Sequence, residues 1–103
     1  MKPLNNYITE RLNPRHLGRS YYKYFPQNRN QLKGLLIDLI DERGNEGNFN
    51  DIDTSKITEM TNLIWGMKNF NGNISRWDVS SVVKFNGVFY NCPIKDSYKP
   101  KFK

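Results

Sequence analysis

The stretch Asp53-Thr54-Ser55-Lys56-Ile57-Thr58-Glu59-Met60-Thr61-Asn62-Leu63-Ile64-Trp65 aligns without gaps on Asp78-Val79-Ser80-Ser81-Val82-Val83-Lys84-Phe85-Asn86-Gly87-Val88-Phe89-Tyr90, 25 residues further on. Self-similarity at such a period marks stacked repeats, in which no unit can bury its apolar face alone. Ile57, Met60, Ile64 and Met67 of the first copy correspond to Val82, Phe85, Phe89 and Cys92 of the second. Steps of three, four and three lay these side chains along one face of a helix. Ser55 and Ser80 stand just before each stripe, where a hydroxyl can accept from an exposed N–H of the first turn. The pattern predicts that each copy is an extended lead-in (residues 50–53 and 74–78), a cap and a short helix. Phe70-Asn71-Gly72-Asn73 joins the copies, with Gly72 expected to supply the turn. The fold class this predicts is α/β: a short, solenoid-like stack of two strand-helix repeats capped by an N-terminal amphipathic helix.

That capping helix is read from Leu32, Leu35, Leu36, Leu39 and Ile40, an apolar stripe in the segment 30–43, with Gly44 as its stop. A chain of 103 residues fills one small core. Three segments are expected: a basic aromatic arm over 1–27, the helix and both repeats over 28–93, and a basic tail over 94–103. Pro93 precedes the tail and Pro100 lies within it, and the tail is expected to be irregular. The outer edge of the second repeat is then either blunted by the tail or paired with a partner, a second copy of the chain included.

The segments Phe49-Asn50-Asp51-Ile52-Asp53-Thr54-Ser55-Lys56-Ile57-Thr58-Glu59-Met60 and Phe70-Asn71-Gly72-Asn73-Ile74-Ser75-Arg76-Trp77-Asp78-Val79-Ser80-Ser81-Val82 resemble the BspA-like leucine-rich repeat family, of the mycoplasma lipoprotein repeat type. The resemblance runs from about Tyr24 to Cys92 and takes in the lead-in helix. It implies short parallel strands, short helices and binding to other macromolecules, with no catalytic residues to carry over. Members are often long secreted arrays, whereas two repeats here resemble the short, non-secreted versions, some of them phage-encoded.

Charge is unevenly distributed around the net +6. Residues 1–33 carry +6, residues 34–53 carry −5 through Asp38, Asp41, Glu42, Glu46, Asp51 and Asp53 against Arg43, and the rest is basic again. Within the arm, Arg11, Arg15, Arg19 and Lys23 interleave with Tyr21, Tyr22, Tyr24 and Phe25. Cations meet phosphates and aromatic rings stack on unpaired bases, so the arm suits nucleic acid. The same composition suits a protein interface or packing against the helix. Leu4, Tyr7, Ile8 and Leu12 have helical spacing, which predicts a short helix over 3–12.

Catalytic chemistry finds no constellation. Cys92 is the single cysteine and His16 the single histidine, so no internal disulfide can form, and neither a zinc set nor a Cys-His couple with a supporting residue has enough members nearby in the sequence. Asp51, Asp53 and Ser55 begin like a calcium loop, but Lys56 and Asn62 stand where glycine and glutamate are required. Asp38, Asp41 and Glu42 have no base or nucleophile to complete them. No enzyme activity, cofactor or metal is expected. The first twenty residues contain Pro3, Pro14 and Gly18 among polar residues and resemble neither a signal peptide nor a membrane span, which predicts a cytoplasmic protein, in a host cell or a virion.

Trp65 lies off the apolar stripe and its repeat equivalent is Tyr90, so the two are expected to line one exposed ridge. Trp77 is assigned to packing between the repeats. The function expected is a non-enzymatic protein-protein interaction module, with Arg11, Arg15, Arg19, Tyr21, Tyr22, Lys23, Trp65 and Tyr90 meeting the partner. By the resemblance, that partner is a bacterial or viral protein, either a virion component or a defence enzyme such as a nucleic-acid-guided nuclease that the chain inhibits. The alternative is nucleic-acid binding through Arg11, Arg15, Arg19, Lys23 and Arg29.

Overall fold

A computed structural model describes residues 22–102. Helix α1 runs Arg29–Arg43 and is bounded as its sequence dictates. The Asn28 side chain accepts from the Gln31 N–H at 2.9 Å, and Gly44, at φ 86°, closes the other end by donating to the Ile40 carbonyl at 2.7 Å. Its Leu32, Leu35, Leu36 and Leu39 are fully buried in the core, together with Phe49, Ile57, Met60, Leu63, Ile64 and Phe70.

The expected strand-helix units do not form. Among the described residues, α1 is the one α-helix, Asp96–Tyr98 is a turn of 3-10 helix, and strand-like pairing is confined to isolated parallel bridges at Tyr24 with Ile52, Asn48 with Asn73 and Glu59 with Lys84. The α/β strand-helix reading is therefore corrected, and the physical reason is backbone handedness. Asn62 and Gly66 have φ of 56° and 76°, and their equivalents Gly87 and Asn91 have 69° and 57°. A right-handed helix cannot pass through left-handed residues, and Asn and Gly are the types that adopt that conformation at little cost. Instead the chain winds through successive β-turns: Leu63, Trp65 and Met67 donate to the carbonyls of Met60, Asn62 and Ile64. The second copy repeats this, with Val88, Tyr90 and Cys92 donating to Phe85, Gly87 and Phe89.

Four other N–H groups of the first copy reach across to the second. Met60, Asn62, Ile64 and Gly66 donate to the carbonyls of Lys84, Asn86, Val88 and Tyr90 at 2.7, 2.9, 3.3 and 2.8 Å. Alternate donors thus close turns and join copies, which satisfies a backbone that neither helix nor sheet serves. The apolar positions still face inward. Ile57, Met60 and Ile64 are buried, while Met67, Phe85, Phe89 and Cys92 pack partly buried against the core.

Two further expectations are revised. The turns ahead of each stripe are organised by carboxylates, not by Ser55 and Ser80: those serines donate their N–H to Asp53 and Asp78 Oδ1, at 2.9 and 3.0 Å. Asn48 and Asn73 do the same for Asn50 and Ser75, at 2.9 and 3.1 Å, so side-chain-to-backbone turns recur at the repeat period. Gly72 is needed for space and not for a left-handed turn, because a Cβ there would strike the rings of Phe49 and Phe70. Trp77 is buried between the copies as expected, its Nε1 donating to the Phe49 carbonyl at 3.0 Å.

The tail is irregular apart from the Asp96–Tyr98 turn, yet it is anchored. Lys95 donates its N–H to Asn71 Oδ1 at 2.9 Å and Tyr98 accepts from the Ile74 N–H at 3.1 Å, with Ile94 and Pro100 buried. It thereby covers the Asn71–Ile74 side of the second copy.

Candidate protein-interaction surface

Trp65 and Tyr90 stand on the tops of equivalent turns, each held by an i to i+3 bond and by the left-handed residue three positions earlier, Asn62 or Gly87. Equivalent geometry one layer apart brings the rings into register. Their centroids lie 6.1 Å apart with an interplanar angle of 12°, an offset stack of the kind worth about 0.5–1.5 kcal/mol. The pair is nonetheless 52% and 61% exposed. Stacking fixes both rings before anything binds, which lowers the ordering cost of an interface built on them.

Next to this ridge lies a groove lined by Phe85, Gly87, Val88, Phe89, Tyr90 and Phe102. Phe102, delivered by the tail, stacks on Phe85 at 4.5 Å and tilts against Phe89 at 6.1 Å. Lys99 Nζ sits 5.0 Å over the Phe89 ring. Val83, also in the second copy, is 76% exposed.

The structure separates the residues singled out from the sequence. Trp65 and Tyr90 come together. Arg11, Arg15, Arg19 and Tyr21, like His16 and the helix expected over 3–12, lie outside the described residues. Tyr22 is half-buried with its ring edge-on to Phe25 at 6.4 Å. Lys23 has an exposed side chain, but its N–H donates to the Asp51 carbonyl at 2.7 Å, and the Asp53 N–H donates to Tyr24 at 2.8 Å. The last residues of the basic arm are thus laid against the first copy.

Arg29 is committed elsewhere. Its Nε donates to the Thr61 carbonyl at 2.7 Å and its Nη2 to the Asn62 carbonyl at 3.4 Å, while Lys33, one turn along α1, donates Nζ to the Leu63 carbonyl at 2.6 Å. Burial, with the nearby Arg29 charge second, lowers the pKa of Lys33. These cations were legible as charges, yet nothing in the sequence says that they cap carbonyls.

Other candidates are internally satisfied. The polar notch around Asn48, Asn50, Asn73 and Arg76 is closed by its own bonds, Asn50 Nδ2 donating to Asn73 Oδ1 at 3.2 Å and the Arg76 N–H to Asn50 Oδ1 at 2.9 Å. Cys92 donates to the Phe70 carbonyl at 3.4 Å, and burial raises its pKa, so it is a poor thiolate. Among the described residues, no group of three His, Cys, Asp or Glu side chains could hold a metal ion, and no helix is long and apolar enough to cross a membrane.

The family model described as "Mycoplasma protein of unknown function, DUF285" matches residues 36–96, more than half of the chain. No curated protein and no solved structure matches it.

Proposed function

The chain belongs to the Mycoplasma DUF285 family, and on that premise we propose that it is a non-enzymatic protein-protein interaction module whose recognition surface is the Trp65–Tyr90 ridge. The observation that carries this reading is the exposure of a pre-stacked aromatic pair, 52% and 61%, on turns tied together by backbone bonds. Large rigid aromatics supply contact area with few rotamers to freeze, and interface energies concentrate on Trp and Tyr. The chemistry around the ridge is apolar and cationic, suited to gripping a surface and offering no group poised to transfer a proton. The finer reading, resting on the resemblance to short non-secreted versions, is a phage-encoded protein that joins a virion or blocks a bacterial defence enzyme.

The test is capture of partners from bacterial lysate by the tagged chain, with and without nuclease, for the native sequence and for Trp65→Ala and Tyr90→Ala. The expected result is a stoichiometric protein that survives nuclease and is lost with either substitution. Recovery of nucleic acid alone, abolished by nuclease and steeply weakened by salt, would overturn the reading in favour of phosphate binding through the arm.

A further inference from the structure

The two ends of the paired copies are chemically opposite. In the first copy, the carbonyls of Thr61 and Leu63 correspond to those of Asn86 and Val88, which accept from the copy before. Thr61 and Leu63 have no preceding copy, and the Arg29 and Lys33 side chains of α1 occupy them instead, at 2.7 and 2.6 Å. Two of the four outward carbonyls of this end, those of Thr61 and Leu63, are therefore occupied from within the chain, while among the described residues those of Glu59 and Trp65, the equivalents of Lys84 and Tyr90, are not.

The other end is open. Phe85, Gly87, Phe89 and Asn91 are the equivalents of Met60, Asn62, Ile64 and Gly66, whose N–H groups all cross to the next copy. The second copy has the same turn bonds and the same left-handed positions, so these four N–H groups point the same way, out of the molecule. Among the described residues none of the four donates a hydrogen bond. The carbonyls between them are all used: those of Lys84, Asn86, Val88 and Tyr90 accept from the first copy, and those of Phe85, Gly87 and Phe89 close turns. A sheet edge alternates donors and acceptors, whereas between Phe85 and Asn91 this edge presents donors only. The Val83 carbonyl, equivalent to the Thr58 carbonyl that accepts from the Val83 N–H, lies just outside the run. A run of aligned N–H groups attracts oxygen anions. Lys84 and Lys101 are exposed beside Phe85 and Phe102 in the chain, and Lys99 lies over Phe89.

We propose that this donor-only edge, Phe85 to Asn91, binds an acidic, extended segment of a partner protein, whose carbonyl and carboxylate oxygens take the four N–H groups while its apolar side chains enter the Phe85–Phe89–Phe102 groove. The proposal rests on the reading of the chain as a protein-interaction module and gives its partner a chemistry. Backbone pairing of an added segment is an established recognition mode. A second copy of the chain is a poorer match: Arg29 and Lys33 already occupy the Thr61 and Leu63 carbonyls in the middle of its acceptor end, and two donor edges repel.

The experiment uses amide-resolved NMR on the full chain. In the free protein the amides of Met60, Asn62, Ile64 and Gly66 are expected to exchange slowly and those of Phe85, Gly87, Phe89 and Asn91 rapidly. The probe is a capped synthetic peptide alternating glutamate and valine, titrated to millimolar concentration beside a lysine-valine counterpart. The four edge amides should shift and gain protection with the acidic peptide only, and Lys84→Glu with Lys101→Glu should weaken that binding about tenfold. Edge amides already protected in the free chain, unmoved by the acidic peptide, or moved equally by both peptides would overturn the proposal. Partner capture that depends on Trp65 and Tyr90 with unmoved edge amides would sink the edge proposal and leave the ridge reading standing. Edge binding with no captured protein would do the reverse.

Discussion

Asn62 and Gly87 occupy equivalent positions in the two copies and share a left-handed backbone, φ 56° and 69°, with the Asn62 side-chain oxygen lying where a Cβ on Gly87 would stand. Asparagine fills the place in one layer and glycine in the next, and four residues on the order is exchanged, Gly66 at 76° facing Asn91 at 57°. These four residues turn what reads as two helices into two ribbons of turns.

Gly87→Ala is expected to cost about 1–2 kcal/mol, because alanine pays for the left-handed backbone even after the Asn62 amide swings aside. Gly66→Asn should change stability by less than about 0.5 kcal/mol, since Asn91 already adopts that conformation and a Cβ on Gly66 meets nothing within 4 Å. Urea unfolding midpoints check both; equal losses would show that handedness does not govern these turns.

A different mechanism applies at Gly72, where a Cβ would collide with the Phe49 ring and with Phe70 Cζ, 2.7 Å away, both rings being fully buried. Gly72→Ala should therefore destabilise by about 1–3 kcal/mol. Gly47→Ala, at the equivalent position, meets Arg43 Cβ at 3.0 Å and Phe49 Cζ at 3.3 Å and should cost less. Thermal melts of the two variants side by side decide the order.

The Arg43 guanidinium ties the end of α1 to the first copy, Nη1 and Nη2 donating to Asp51 Oδ1 and Oδ2 at 3.0 and 2.9 Å, with Nη1 also donating to the Asn48 carbonyl at 2.9 Å. The hydrogen bond to Asp51 is the main reason the Arg43 pKa is raised. Asp51→Asn keeps the shape and removes the charge, and should cost about 1–2 kcal/mol in chemical unfolding. No measurable loss would mean that solvent already screens this bidentate pair.

Burial raises the Cys92 pKa, opposed by the Ile94 backbone and the Lys99 charge. A folded-state value above the unfolded one stabilises the protein below the ordinary thiol pKa, and that contribution is lost as pH rises through the folded value. Native Cys92 should accordingly react with a thiol reagent at pH 8 more slowly than the same chain in urea. Equal rates would show the thiol to be solvated.

Trp65→Ala and Tyr90→Ala should leave the unfolding midpoint nearly unchanged, apart from the modest stacking energy, because both rings are mostly in water. A loss as large as that expected for Gly72→Ala would reassign the ridge from recognition to structure.

The sequence by itself determined the 25-residue period, the burial of Ile57, Met60, Ile64 and Val82, and α1 with its Gly44 stop, because stripes and repeats are local patterns; it did not mark the Asn28 cap or the buried Leu63 and Val88. It also placed Trp65 and Tyr90 on one ridge, since equivalent residues of stacked copies fall in register. It misled over the path between those points: spacings of three and four fit a helix, and a ribbon of β-turns buries Ile57, Met60 and Ile64 equally well. The tertiary structure decided that choice, because the N–H groups of Met60, Asn62, Ile64 and Gly66 find their acceptors only in the next copy, about 24 residues away in the chain. It alone also decided that Arg29 and Lys33 take the Thr61 and Leu63 carbonyls at one end while the Phe85–Asn91 donors face outward, for which groups at the end of a stack are satisfied depends on what folds back against it.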